Sequence, residues 1–120
     1  MVIQQGDVVW VEPPPRRGSA PAGRRPAVVS QHDRFNRSLI NTIVVVAVTS
    51  NLKYGRLPGN VRLRRREGGL PRESVVNVTQ IATVDRSIIA SRVGQLSRAR
   101  LNDVWNGVRL VLELPSQFSF

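Results

Sequence analysis

Short runs rich in valine and isoleucine, each closed within a few residues by proline, glycine or asparagine, fill most of this chain. Val8-Val9-Trp10-Val11 follows a Gly6-Asp7 turn and stops at Pro13-Pro14-Pro15. Side chains branched at Cβ suit a pleated surface, and runs this short suit strands rather than helices. Pro26 holds Arg25 extended, so Arg25 to Gln31 is predicted as a second strand, with His32 to Arg37 a polar connection. Asn41 to Val48 is β-branched enough for a strand buried on both faces. Leu57-Pro58-Gly59-Asn60 and Glu67-Gly68-Gly69 read as turns around a short half-buried strand, Val61 to Arg64. Ser74 to Val78 and Ala82 to Val84 are further strands.

Only after Ser97, an N-cap residue, does the period change. Leu101, Val104, Trp105, Val108, Val111 and Leu112 recur at three- and four-residue intervals, the stripe of an amphipathic helix. Gly107 interrupts it at a cost of about 1 kcal/mol relative to alanine. Five or six short strands followed by one C-terminal helix predict a mainly β (α+β) architecture. The expected form is a small, curled antiparallel sheet, closer to a barrel than to layered α/β.

A chain of 120 residues is expected to form one domain over 1–120. No cysteine is present, which removes disulfides and cysteine catalysis and suits a reducing compartment. No apolar run nears the roughly 20 residues of a membrane span, and the N-terminus lacks a signal-peptide layout, so a cytoplasmic location without membrane association is expected.

Charge narrows the partner. Seventeen of the eighteen basic side chains are arginine, against eight acidic ones, for a net charge of +10. Residues 1–72 carry thirteen basic and four acidic side chains, whereas 73–120 carry five and four. A basic face of forked guanidinium groups fits phosphate or an acidic polypeptide. Arg62, Arg64, Arg65 and Arg66 could guide RNA, receive an acidic partner, or simply guard an exposed edge strand.

The chemistry on offer is restricted. One histidine and no cysteine argue against structural zinc, so no metal ligands and no cofactor are expected. Neither a GxxxxGK[ST] nor a GxGxxG loop occurs, and the carboxylates are scattered. What remains is arginine, hydroxyls and amides, a set suited to a substrate that brings its own nucleophile. RNA does, because its 2′-hydroxyl can attack the neighbouring phosphate while the protein orients it and stabilises the developing charge. Trp10 and Trp105 lie in apolar patterns and read as core residues. Arg24, adjacent to Arg25 in an extended stretch, should point to the opposite side.

Gly6-Asp7-Val8-Val9-Trp10, Gly18-Ser19, Arg25-Pro26-Ala27-Val28-Val29, Val48-Thr49-Ser50, Leu57-Pro58-Gly59-Asn60-Val61, Ser74-Val75-Val76-Asn77-Val78 with Gln80-Ile81, and Val93-Gly94-Gln95-Leu96-Ser97 occur in one order. That order, from about Gly6 to Leu114, resembles the MazF/PemK toxins of type II toxin–antitoxin systems, in particular their actinobacterial members. The resemblance implies an SH3-like curled barrel and a homodimer. It also implies a metal-independent, sequence-specific endoribonuclease that cuts single-stranded RNA to 2′,3′-cyclic phosphate and 5′-hydroxyl ends. Arg25 and Thr49 fall on the family's catalytic positions; Ser19, Gln80, His32 and Ser50 fall on RNA-binding ones. A cognate antitoxin with an acidic, disordered tail is the implied second partner. Ala20-Pro21 replace the family's usual Glu-Gln, and His32-Asp33 replace Asn-Asp, so the recognised RNA sequence should differ from that of members carrying those residues. Two rivals stand beside this reading: a non-catalytic toxin of the related CcdB type that binds DNA gyrase, and a basic RNA-binding barrel without activity.

Overall fold

The computed structural model describes residues 1–12 and 23–113. Six strands form one antiparallel sheet: β1 (Asp7–Val11), β2 (Arg25–Val29), β3 (Thr42–Thr49), β4 (Val61–Leu63), β5 (Ser74–Asp85) and β6 (Ile89–Gln95). Their order across the sheet is β4-β5-β3-β2-β1-β6, so β4 and β6 are free edges and the sheet curls without closing. The predicted curled antiparallel architecture is therefore the one observed. A single turn, α1 (Asp33–Asn36), three short 3-10 turns and a C-terminal helix, α2 (Arg98–Leu112), complete the described fold. None of these is long and apolar enough to cross a membrane.

Both faces of the sheet are buried in part, which is why its strands are so uniformly aliphatic. On the inner face, Val8, Val28, Val46, Val48, Val76 and Val78 pack with Leu63, Leu101 and Val104. On the outer face, Val9, Val11, Ala27, Val29, Ile43 and Val45 form a smaller cluster with Ile3 and Ile89. Burying each such side chain contributes about 1.5–3 kcal/mol before chain entropy is subtracted.

Three sequence expectations need correction. The stretch after β2 is not a plain connection. The His32 imidazole accepts a hydrogen bond from the Arg34 amide and caps α1. Ser74–Val78 and Ala82–Val84 are not two strands but the ends of β5, which runs unbroken for 12 residues. β6, with its mixed IASRVGQ composition, was not marked by any alternating pattern. Trp10 is half-buried rather than core, and the Arg24 guanidinium stands 5.6 Å from its ring centroid.

Helix α2 begins where expected, with the Ser97 hydroxyl accepting from the Arg100 amide. Leu101 and Val104 are buried, while Leu110 and Leu112 in its last turns are 54% and 63% exposed, so only the first half of the apolar stripe is covered. Gly107 has a packing reason. It lies against the Gly59 backbone in the turn before β4, and a Cβ at 107 would meet the Gly59 carbonyl and the Val78 side chain. Gly59 itself has φ +78°, the left-handed region that glycine enters most easily.

An ion pair fastens the same helix to the β4–β5 connection. Arg100 Nε lies 2.8 Å and Nη2 3.1 Å from the two Glu67 carboxylate oxygens, and one of these also accepts the Arg64 amide. The Arg100 hydrogen bonds, chiefly, hold the Glu67 carboxyl below its ordinary range.

Two outcomes follow from this packing. Gly107→Ala, despite a better helix propensity, should lose about 1–2 kcal/mol in urea unfolding, because overpacking against the Gly59 backbone outweighs the helical gain. Glu67→Gln should lose about 1 kcal/mol at pH 7, a magnitude limited by the partial exposure of the pair. Since the folded-state pKa is depressed, that contribution is complete above the unfolded value and fades as pH falls through the folded one. Wild type and variant should therefore converge in stability in acid below pH ~4, as thermal unfolding across pH would report.

Candidate active site

The β2–β3 ladder pairs Ala27 with Ala47, Val28 with Val46 and Val29 with Val45. Continued by two residues, the same register sets Arg25 beside Thr49. Within the ladders themselves Arg25 pairs with Val11, Thr49 with Val75, and Val75 with Arg62. Directly opposed residues project to one side of an antiparallel sheet. Arg25 and Thr49 thus rise side by side from the outer face, at the sheet end away from α1.

A cleft of about 590 Å³ opens around them. Pro26, Ala47 and Val48 line its strand side, with Arg25, Thr49 and Ser50 along the strand ends. Tyr54 and Leu57, from the 3-10 turn Leu52–Arg56 and the residue after it, form one wall. Asn77, Thr79 and Gln80 of β5 form the other.

That second wall exists because β5 bulges. Val46 pairs with Ile81 but Val48 pairs with Val76, so β5 uses three more residues than β3 over the same span. Val78 and Ile81 both pack on the inner core although they are three residues apart, a spacing at which a regular strand would send them to opposite faces. The surplus turns both Thr79 and Gln80 outward, where they are exposed along the cleft.

The two central side chains are free to act. Arg25 is exposed, and among the described residues its guanidinium makes no hydrogen bond or ion pair. The Thr49 hydroxyl accepts from the Asn51 amide at 3.1 Å, which leaves its own proton available to a ligand oxygen. Neither a histidine nor a carboxylate is among the described residues lining the cleft.

Four of the six sequence-derived site residues, Arg25, Thr49, Ser50 and Gln80, meet in this cleft. Ser19 lies outside the described residues. His32 does not line the cleft; it caps α1 beyond the far end of β2. Seven residues separate it from Arg25, about 20 Å of extended chain. Arg24 points away from Arg25, with Nη2 donating to the Ser91 hydroxyl at 3.1 Å. Tyr54, Leu57, Asn77 and Thr79 were not anticipated as site residues, because nothing in SVVNV or in LKYGRLP announces a bulge or a folded-back turn.

Residues 4–112 match the family of PemK-like, MazF-like toxins of type II toxin–antitoxin systems. The chain belongs to that family. Among relatives, it is 40% identical over 114 residues, covering 95% of this chain and all of the relative, to endoribonuclease MazF6 of Mycobacterium tuberculosis. Over 114 residues it is 30% identical to endoribonuclease EndoA of Bacillus subtilis, covering 95% and 97% of the two chains. A crystal structure of MazE–MazF from Deinococcus radiodurans superposes with a TM-score of 0.80 at 25% identity, covering 96% of this chain and 99% of that one.

Because Arg25 is exposed and its guanidinium makes no hydrogen bond or ion pair among the described residues, Arg25→Ala should change unfolding free energy by no more than about 0.5 kcal/mol. Urea titration of the two proteins checks this, and a large loss would return Arg25 to a structural role.

Proposed function

We propose that this toxin is a sequence-specific, metal-independent endoribonuclease that cleaves single-stranded RNA through the substrate's own 2′-hydroxyl. The observation that carries the reading is that Arg25, whose guanidinium is unengaged among the described residues, and the Thr49 hydroxyl line one open cleft whose described lining holds neither carboxylate nor imidazole. Such a cleft is poorly equipped to activate water. It is well equipped to hold a phosphate whose attacking group is already attached.

In the proposed reaction the 2′-oxygen bonds to phosphorus in line with the P–O5′ bond, which breaks. The 2′ proton leaves, the departing 5′-oxygen gains one, and the products are a 2′,3′-cyclic phosphate and a 5′-hydroxyl, with no water consumed. Arg25 neutralises the charge on the non-bridging oxygens and stays protonated throughout. Thr49 donates a hydrogen bond to one of those oxygens. Such preorganised donors act most strongly where charge develops in the transition state. Ser50 and Gln80 would position the flanking nucleotides, and the arginine-rich surface would draw RNA in.

The family membership supports the endoribonuclease reading, as do the names of the mycobacterial and Bacillus relatives. The MazE–MazF pairing seen in Deinococcus supports an antitoxin as second partner. Its acidic segment would compete for the guanidinium groups RNA needs. In this reading the active toxin is a homodimer.

Purified protein should cleave long single-stranded RNA in EDTA and leave cyclic-phosphate ends. Arg25→Ala should lower kcat by about 10²–10³-fold, the scale for losing a charged oxyanion donor. Thr49→Val, which keeps shape but removes the hydroxyl, should lower it by about tenfold or more with little effect on stability. Intact RNA with wild-type protein, or full activity in Arg25→Ala, would overturn the mechanism.

A further inference from the structure

The bulge in β5 leaves the buried Val78 without its β3 partner, and its backbone N–H is satisfied by a side chain. Asn60 Oδ1 accepts that N–H at 2.9 Å. The β4–β5 register, which pairs Val61 with Val76, sets Asn60 opposite Asn77 when continued by one residue. Asn60 therefore extends the β4–β5 ladder with its side-chain amide, one residue beyond Val61.

This arrangement fixes the direction of two amides in turn. With Oδ1 committed to the Val78 N–H, Asn60 must present Nδ2 on its other side. That nitrogen donates to the Tyr54 carbonyl at 2.8 Å and to Asn77 Oδ1 at 3.2 Å. Both anchors are backbone groups, whose donor and acceptor identities are unambiguous, so the polarity of Asn60 follows from the chain itself. The Thr79 hydroxyl donates to the same Asn77 oxygen at 3.2 Å. Asn77 Oδ1 is thus held by two donors, and the Asn77 NH2 group is the end left over. Among the described residues no acceptor engages Asn77 Nδ2, and it is not sealed from solvent. Although only 8% of Asn77 is exposed, the residue lines the cleft that holds Arg25 and Thr49.

We propose that Asn77 is a specificity-determining residue, offering its Nδ2 donor to the O4 keto oxygen of uracil or the O6 keto oxygen of guanine in one RNA base, and that Asn60 is the positioning residue that keeps it turned that way. The proposal rests on the ribonuclease reading and deepens it. A buried amide that offers only donors at that position accepts uracil through O4 or guanine through O6. It disfavours adenine or cytosine, whose exocyclic amines occupy that same position and would meet a donor with a donor. Because the amide is locked by its neighbours, it cannot rotate to suit the wrong base.

The test maps cleavage ends on one long RNA for three proteins. Wild type should show at least one motif position restricted to uracil or guanine. Asn77→Asp keeps the acceptor for Asn60 and Thr79 but turns the cleft-facing donor into an acceptor. It should shift preference at that position by about tenfold toward adenine or cytosine. Asn60→Asp leaves Asn77 intact and keeps the bond to Val78, but its second oxygen repels Asn77 Oδ1 and attracts Nδ2. The Asn77 amide should then reverse, and the same position should shift in the same direction.

The added carboxylate will slow cleavage at every site by repelling phosphate, and any loosening of the turn will do likewise. Neither effect changes which base is preferred, so the motif distinguishes specificity from structural damage. Should Asn60→Asp fail to fold, Asn77→Asp decides alone. An unchanged motif in a folded Asn77→Asp protein would overturn the assignment while leaving the ribonuclease intact. A wild type that leaves RNA uncut would remove the ribonuclease reading and this assignment with it.

Discussion

The departure of β5 from β3 organises the functional half of the molecule. A regular ladder between those strands would alternate Asn77, Val78, Thr79 and Gln80 across the sheet and leave no opening beside Thr49. Instead β5 spends three surplus residues opposite Ala47. The gap that results is the cleft, and one of its walls is the surplus itself. Such a bulge exposes backbone groups that a buried strand cannot leave unpaired, since an orphaned amide costs about 1–3 kcal/mol. Asn60 removes that cost by accepting the Val78 N–H. The bulge, and with it the cleft, therefore depends on a side chain in the turn before β4.

That turn is in turn seated on α2. Gly59 and Gly107 touch backbone to backbone, which brings the helix close enough for Leu101 and Val104 to close the inner core over Val61, Leu63, Val76 and Val78. The Arg100–Glu67 pair pins the same helix to the far side of β4. Helix, turn, bulge and cleft form one continuous packed path, although the helix contributes no residue to the cleft. Fold and site are joined here by sterics and hydrogen bonding rather than by shared residues.

The division of labour between Arg24 and Arg25 shows how strand geometry selects among chemically identical side chains. Neighbours in an extended chain point to opposite faces. Arg24 covers the Trp10 ring and bonds Ser91, a local packing role. Among the described residues Arg25 is left unengaged, in the cleft it shares with Thr49. With seventeen arginines in the chain, charge alone could not have singled it out. Pro26, which stiffens the strand entry behind it, was the local sign.

Much of the architecture was legible from local chemistry. β-Branched runs, Gly/Pro turns and the three-and-four spacing after Ser97 are short-range signals, and β1 to β4, the two turns and α2 followed from them. Family order, rather than any local signal, joined Arg25 and Thr49, which are far apart in sequence and line one cleft. β6 was not legible, because IASRVGQ owes its strand to pairing with β1 and not to its own composition. Nor could sequence reveal that Ser74–Val78 and Ala82–Val84 are one strand, that His32 caps a helix away from the cleft, or that Asn77 lines the cleft with Thr49. Propensities and turn residues act within a few positions, and a chain carries them openly. A bulge, an amide's direction and the walls of a cleft are set by partners brought together from distant segments, and only the folded chain supplies those partners.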